Sequence, residues 1–147
     1  SYLESIDRTA EKRQSANTFF MTLNTGIIAA IGFLFQKDCS PELKPLLVFL
    51  PVAGLLAAIF WYKLVNSYRQ LNRGKFAVLT RIEQHLPLAP YTAEWIELGE
   101  GKDNKKYHQV TAIEKGIPVF FTVLHGLLGL YFLFLLARQT GIICVGK

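Results

Sequence analysis

Three stretches of the chain contain no Asp, Glu, Lys or Arg and are apolar enough to cross a membrane. They are residues 14–36, 45–62 and 116–137. A membrane-spanning helix needs roughly 20 predominantly apolar residues, because the hydrocarbon core of a bilayer is about 30 Å thick. The sequence therefore predicts an all-α integral membrane protein with three transmembrane helices.

The composition supports the same class. Charged residues make up 18% of the 147 residues, whereas about 25% of the residues in a soluble domain are charged. Charge is therefore excluded from long tracts of this chain. The length allows one domain, divided into the segments 1–16, 17–36 (first span), 37–45 (outer loop), 46–65 (second span), 66–116, 117–137 (third span) and 138–147 (outer tail).

The basic residues are distributed unevenly about the three spans. Three Lys or Arg residues precede the first charge-free stretch and nine lie in residues 63–115, between the second and third charge-free stretches, whereas the outer loop and outer tail together hold four. Cytoplasmic loops of membrane proteins carry an excess of Lys and Arg. We therefore expect the N-terminus and residues 66–116 in the cytoplasm and the C-terminus on the opposite side. Basic residues nearest the membrane are expected to contact anionic lipid headgroups.

Two helices are predicted to continue beyond their spans. Residues 1–14 contain no Gly or Pro, so one helix should run from the cytoplasm into the first span. Apolar residues continue at helical spacing after the second span, which predicts a single helix from Leu46 to Leu86, about 60 Å long. Such a projecting helix needs a partner for its apolar stripe. The candidates are the N-terminal helix, the segment before the third span, and other copies of the chain.

Prolines set the expected boundaries in the second half of the chain. Pro87 and Pro90 should end the long helix, and a short helical turn is expected from Thr92 to Leu98. Pro118 lies near the start of the third span. Because proline lacks a backbone donor and clashes with the preceding turn, this span either kinks there or begins afresh at Ile117.

Polar side chains are concentrated in the first half of the first span, and one histidine lies in the third. The residues are Asn17, Thr18, Thr22, Asn24, Thr25 and His125. Polar side chains within a membrane seldom face lipid, so these should face protein or water. One interpretation is hydrogen bonding between helices, with Asn24 or Thr25 as the partner of His125. The other is the lining of a pore or of a ligand cavity.

A second group of residues follows the second span. Arg69, Lys75, Glu83 and Trp95 are expected to fold the cytoplasmic segment back onto the long helix. Glu83 has Arg69, Lys75, Arg73 or Arg13 as possible ionic partners, and Trp95 would anchor the short helix in a small core. A ligand site is the alternative interpretation of this group.

The two cysteines, Cys39 and Cys144, both fall on the predicted non-cytoplasmic side. Disulfides persist in such oxidising compartments, so a bridge between them, within or between subunits, is one interpretation. Two unpaired thiols near the membrane surface are the other.

Sequence signatures of catalysis and cofactor binding are missing from the chain. It contains no phosphate-binding glycine loop, no nucleophile elbow and no histidine or cysteine spacing typical of zinc sites. The lysines of residues 102–106 lie among acidic residues without interleaved aromatic side chains. We therefore expect no enzymatic activity, no metal, no cofactor and no nucleic-acid partner.

Several short motifs resemble those of a known family in their order and spacing. They are Arg13-Gln14-Ser15-Ala16-Asn17-Thr18-Phe19-Phe20 with Leu23-Asn24-Thr25, Ser67-Tyr68-Arg69-x-Leu71-Asn72-x-x-Lys75-Phe76, Glu83-x-x-Leu86-Pro87, Glu94-Trp95 and Thr111-x-x-Glu114. Together they resemble the RipA-like octameric membrane proteins, which are small proteins of the bacterial inner membrane. The resemblance implies a homo-octamer in that membrane and supplies no catalytic residues. With the orientation expected from the basic residues, the C-terminus would then lie in the periplasm.

The residues themselves also favour an oligomer. One protomer has three spans, yet it carries two membrane asparagines, several threonines, small-residue faces and a long projecting helix. A symmetric ring of subunits would bury these features. The expected function is a structural or scaffolding oligomer. A channel or small-solute conduit along its axis is the alternative, and an accessory subunit of a larger complex is a third possibility.

Overall fold

The computed structural model describes residues 2–36, 44–98, 100 and 110–139, and the secondary structure of this part of the chain is helical. Four helices follow one another in sequence. They are α1 (Tyr2–Gln36), α2 (Lys44–Glu83), α3 (Pro90–Glu97) and α4 (Val110–Gln139). Helices α1, α2 and α4 are each long and apolar enough to span a membrane. The predicted class, an all-helical protein with three candidate spans, is therefore confirmed.

The long helices form where the sequence predicted them, with shifted ends. Helix α1 runs unbroken through the first span from Tyr2. Helix α2 ends at Glu83, three residues before the predicted Leu86. Helix α3 begins at Pro90, because proline suits the first turn of a helix, where its missing N–H is not needed.

Helix α4 differs most from its predicted boundary. It begins at Val110 and continues through Pro118, so the third span does not begin afresh at Ile117. Proline is tolerated inside membrane helices where neighbouring groups compensate for the lost backbone hydrogen bond. Pro118 is fully buried, as is Pro51 of α2, so both prolines lie inside the helix bundle.

Helix α2 is the central element of the protomer, because it packs against both α4 and α1 and also contacts α3. The core lies midway along the bundle and is mainly aromatic. It consists of Phe20, Ala58, Trp61, Val65 and Phe121, with Ile28, Leu64 and Ile117 packed against it. Aromatic rings from all three long helices therefore meet at one level.

The predicted outer loop and outer tail lie almost entirely outside the described residues. The same is true of Cys39 and Cys144, so the disulfide between them stays a prediction. Lys44 and Pro45, predicted to end the outer loop and to turn the chain into the second span, belong to the first turn of α2.

Candidate functional site

The deepest polar contact joins α1 to α4. Asn24 and His125 are almost completely buried, at 0% and 1% exposure, and Nε2 of His125 lies 3.1 Å from Oδ1 of Asn24. The amide nitrogen of Asn24 donates to the carbonyl oxygen of Phe20 at 2.8 Å, so its Oδ1 is the acceptor and Nε2 of His125 carries the proton. This is one of the two interhelical bonds that the sequence suggested for His125.

A glycine of α2 makes room for this pair. The imidazole ring of His125 lies directly against Gly54, at a place where a Cβ atom would collide with the ring. The Phe121 ring stacks against the same imidazole ring, with the two ring centroids 6.3 Å apart. Gly54 is therefore a structural requirement of the Asn24–His125 contact, and it brings α2 and α4 close together at that level.

A second polar contact lies about 10 Å away along α1, seven residues towards the N-terminus. Nε1 of Trp61 donates to Oδ1 of Asn17 at 2.9 Å, and Nδ2 of Asn17 donates to Oε1 of Glu114 at 3.4 Å. Arg13 pairs with the same carboxylate oxygen at 3.6 Å. These bonds link α1 to both α2 and α4 where the charge-free stretches of α1 and α4 begin and that of α2 ends.

The two polar levels both lie between helices of one protomer, and we call them together the network; among the described residues no hydrogen bond joins one level to the other. Near the level of Asn17, Lys115 adds a separate contact between α4 and α2, because its ammonium donates to Oδ1 of Asn66 at 2.9 Å. Nδ1 of His125 and Oε2 of Glu114 are buried without a hydrogen-bond partner among the described residues. Because its hydrogen bonds join α1 to α2 and α4, the network can hold three helices in register. This is the usual use of polar residues between membrane helices.

The threonines of the first span do not belong to this network. Thr18, Thr22 and Thr25 are exposed on the protomer, whereas Asn24 is buried and Asn17 half-buried. One residue corresponds to about 100° around an α-helix, so the asparagines and the threonines occupy different faces of α1. The interpretation that Asn17, Thr18, Asn24 and Thr25 line one lumen is wrong for this protomer.

The residues after the second span are divided between two contacts. Lys75 holds the N-terminal part of α1 against α2, because its ammonium donates to the carbonyl oxygen of Ser5 (2.7 Å), the hydroxyl of Ser5 (2.8 Å) and the hydroxyl of Thr9 (2.6 Å). Arg69 makes no side-chain hydrogen bond or ion pair with the described residues. The expected common clamp of Arg69, Lys75, Glu83 and Trp95 is therefore not formed as one cluster.

Glu83 holds the start of α3. Its carboxylate accepts the backbone N–H of Tyr91 at 2.8 Å, the backbone N–H of Thr92 at 3.0 Å and the hydroxyl of Thr92 at 2.7 Å. The first N–H groups of a helix have no partner within the helix, and the residue before α3 provides no side-chain cap. Glu83 provides it from α2, so the predicted ion pair with Arg69, Arg73, Lys75 or Arg13 is wrong.

These hydrogen bonds favour the charged form of Glu83. Burial raises the pKa of Glu83, but the hydrogen bonds from Thr92 and Tyr91 stabilise the carboxylate and hold the pKa below its usual value. The folded-state pKa is therefore depressed. The stability that the charged form contributes is complete above the ordinary glutamate pKa and is lost as the pH falls through the lower pKa of the folded protein.

The environment of Trp95 also differs from the sequence prediction. The sequence predicted an anchor in a small core, but the Trp95 side chain is 48% exposed. Helix α3 is held to α2 through Glu83 instead, and this leaves the indole of Trp95 on the protomer surface.

Replacing Glu83 with Gln should release the start of α3. The glutamine amide keeps one acceptor oxygen, while its NH₂ group faces a backbone donor. We expect the Tyr91 and Thr92 amides to exchange with deuterium roughly tenfold faster, because one hydrogen bond to a charged acceptor is lost. Hydrogen–deuterium exchange mass spectrometry measures this. The matched control is Glu97→Gln, which changes an exposed glutamate of α3 itself, and equal exchange in the two variants would contradict the assignment.

Three important residues of the network were not singled out from the sequence as members of it. They are Gly54, Trp61 and Glu114, which the sequence does not mark as partners of His125 or Asn17. Their signal in the sequence is weak, because each acts on a residue far away in the chain, as the 97-residue separation of Asn17 and Glu114 illustrates. Among the described residues, no group of three or more His, Cys, Asp or Glu side chains is placed to hold a metal ion.

Comparison with known families decides the classification of the chain. The model of the octameric membrane protein family (8xMP) matches residues 1–134. The chain belongs to the octameric membrane protein family. The match covers α1, α2, α3 and most of α4, so the buried network and the exposed threonines both lie within the matched residues. Searches of curated proteins and of solved structures find no match.

Proposed function

We propose that the protein is a non-enzymatic scaffold of the bacterial inner membrane, built as a homo-octamer of three-span protomers. The family, whose name describes an octameric membrane protein, supports the assembly. The buried network supports a structural role, because its hydrogen bonds join helices within one protomer. The resemblance to the RipA-like proteins makes the same proposal more specific.

One observation carries the proposal, and it concerns the face of α1 that is exposed on the protomer surface. Thr18, Thr22 and Thr25 are exposed on one face of a membrane helix, and no hydroxyl of the three is bonded to any of the described residues. Small polar residues are typical of faces where membrane helices approach each other closely. We infer that this threonine face contacts a neighbouring copy in the octamer.

The orientation follows from charge. Twelve of the sixteen Lys and Arg residues precede the first charge-free stretch or lie in residues 63–115, between the second and third charge-free stretches. The positive-inside rule favours the N-terminus in the cytoplasm and the C-terminus in the periplasm. The partners are then other copies of the chain and membrane lipid. A stoichiometric second protein in the purified assembly would favour an accessory subunit instead.

A conduit along the octamer axis is the second candidate, and the same threonines favour it. Three hydroxyls on one face suit a water-filled lumen as well as a helix contact. Asn17 and Asn24 do not take part, because their side chains bond Trp61, Glu114 and His125 inside the protomer. A conduit would therefore be lined by a narrow threonine stripe of each copy.

Changing Thr18, Thr22 and Thr25 together to Val separates the two functions, because valine keeps the shape of threonine and removes the hydroxyl. For a scaffold, we expect native mass spectrometry to show a loss of octamers, and the unmodified protein to give no ion current in planar bilayers. Current in the unmodified protein that falls in an intact octameric variant would contradict the scaffold and support the conduit. Thr122→Val is the control, because that hydroxyl bonds the Pro118 carbonyl within α4.

A further inference from the structure

A group of basic and hydrogen-bonding side chains lies between α2 and α4, apart from the network. The ammonium of Lys115 donates to Oδ1 of Asn66 at 2.9 Å and lies 5.7 Å from the centre of the Tyr62 ring. Arg69 follows Asn66 by three residues, so these two side chains are neighbours on the surface of α2. Lys115, Asn66 and Arg69 are half-buried, and we call the four residues the basic site.

The three α2 residues of the basic site share one face of the helix. With about 100° between successive residues, Tyr62, Asn66 and Arg69 lie within about 60° of one another. Lys75, which bonds α1, lies more than about 100° away from each of them by the same count. The basic site therefore belongs to the side of α2 that faces α4, and not to the side that holds α1.

The basic site lies at the edge of the hydrocarbon core. Tyr62 is the last residue of the charge-free stretch of α2, and Lys115 directly precedes that of α4. Arg69 is about 10 Å further along α2, but Cα–Cβ bonds tilt towards the start of a helix, so its side chain leaves the backbone in the direction of the membrane. The lipid headgroups occupy a layer about 5–7 Å thick on each side of the core. The site therefore lies at the depth of the headgroups.

The basic site holds positive charge and hydrogen-bond donors that the described residues do not use. The Lys115 ammonium has three donors, and Asn66 takes one of them. The NH₂ group of Asn66 and the guanidinium of Arg69 bond none of the described residues. The carboxylate nearest in sequence, that of Glu114, pairs with Arg13 instead. The two cations therefore have no anionic partner in the described part of the chain.

A phosphate group fits these features. Its oxygens accept charge-assisted hydrogen bonds from lysine and arginine, and basic pockets between membrane helices bind the headgroups of anionic lipids. The depth of the site favours a lipid phosphate over a dissolved one. We propose that the basic site binds the phosphate of an anionic phospholipid whose acyl chains lie along α2 and α4. This inference goes beyond the proposed scaffold and does not depend on the number of subunits.

Lipid titration followed by native mass spectrometry tests the site. The purified protein in detergent is titrated with phosphatidylglycerol, with phosphatidylcholine and with inorganic phosphate. We expect phosphatidylglycerol to bind at least about fivefold more tightly than phosphatidylcholine, whose own cation is repelled by the site, and inorganic phosphate not to compete. Arg69→Gln and Asn66→Asp should each weaken phosphatidylglycerol binding about fivefold, the effect of one positive charge near an anionic surface. The first removes a cation, and the second neutralises Lys115.

Lys12→Gln is the matched control. Lys12 is exposed and lies two residues before the charge-free stretch of α1, so this change removes one positive charge near the membrane but outside the basic site. It should leave the affinity for phosphatidylglycerol unchanged within about twofold. Circular dichroism verifies the fold of each variant. If Asn66→Asp disturbs folding, Arg69→Gln still tests the site, because it breaks no bond to the described residues.

Three results would overturn the lipid site. The first is equal affinity for phosphatidylglycerol and phosphatidylcholine. The second is a loss of affinity in Lys12→Gln as large as that in Arg69→Gln, which would show attraction by the overall positive charge alone. The third is competition by inorganic phosphate, which would show that the site takes a dissolved anion. None of these results depends on the octamer, whose mass is measured in the same spectra.

Discussion

Replacing Gly54 with Ala is expected to destabilise the protomer strongly. The added Cβ would collide with the imidazole ring of His125, and that ring cannot move away freely because it is buried and bonded to Asn24. Inserting a methyl group into a well-packed core costs about 1–3 kcal/mol. The cost exceeds the gain of about 0.5–1 kcal/mol that alanine brings over glycine in a helix interior. Thermal unfolding in detergent micelles, followed by circular dichroism, measures the change.

Two controls isolate the collision at Gly54. Gly74→Ala lies in the same helix, and a Cβ there meets nothing within 4 Å, so that variant should unfold at the same or a higher temperature. Combining Gly54→Ala with His125→Ala should cost less than the sum of the two single changes, because the second change removes the ring that causes the collision. Equal unfolding temperatures for Gly54→Ala and Gly74→Ala would show that the close contact is unimportant.

Truncating Trp61 to Ala should have the largest effect of any single change in the core. Trp61 is 2% exposed, and its ring centroid lies 6.0 Å from that of Phe20 and 6.1 Å from that of Phe121. Removing such a side chain from a core costs about 3–5 kcal/mol. The loss also leaves Oδ1 of Asn17 without its donor, so the contact between Asn17 and α2 should loosen together with the packing.

Trp61→Phe separates packing from hydrogen bonding. Phenylalanine keeps an aromatic ring but removes the donor to Asn17, and hydrogen bonds between membrane helices contribute about 0.6 kcal/mol on average. We expect a small decrease of the unfolding temperature for Trp61→Phe and a large one for Trp61→Ala. The chain has two tryptophans, so the fluorescence of Trp61→Phe comes from Trp95 alone and should lie at longer wavelength than that of Trp95→Phe. Similar unfolding temperatures for the Phe and Ala variants would contradict the packing role.

The helices were largely predictable because their signals are local. A span is a run of residues without charge, and a helix end is marked by nearby proline, as at Pro87 and Pro90. Helix α2 therefore ended within three residues of the predicted position. The sequence leaves open whether the third span kinks at Pro118 or begins afresh at Ile117. Helix α4 starts at Val110 and contains Pro118, which is buried in the bundle.

The site was predictable only in part. Asn24 and His125 were identified as a possible interhelical pair because polar groups in a membrane need partners, and two of them lay in different spans. Glu83 was identified as important, but its partners were not, since backbone N–H groups at the start of a helix leave no mark in the sequence. The residue opposite His125 is a glycine, which is recognisable as a contact only when the facing side chain is known.

The sequence by itself determined the class of this protein: three spans, an unbroken helix from Tyr2 into the first span, and a second helix about twice as long as a bilayer core is thick. These follow from charge exclusion, helix length and proline positions, which act over a few neighbouring residues. Only the tertiary structure decided that Asn17 and Asn24 face the protomer interior while Thr18, Thr22 and Thr25 face outward. The physical reason is that both groups are polar and lie in the same span, so only the positions of α2 and α4 distinguish the side of α1 that becomes buried.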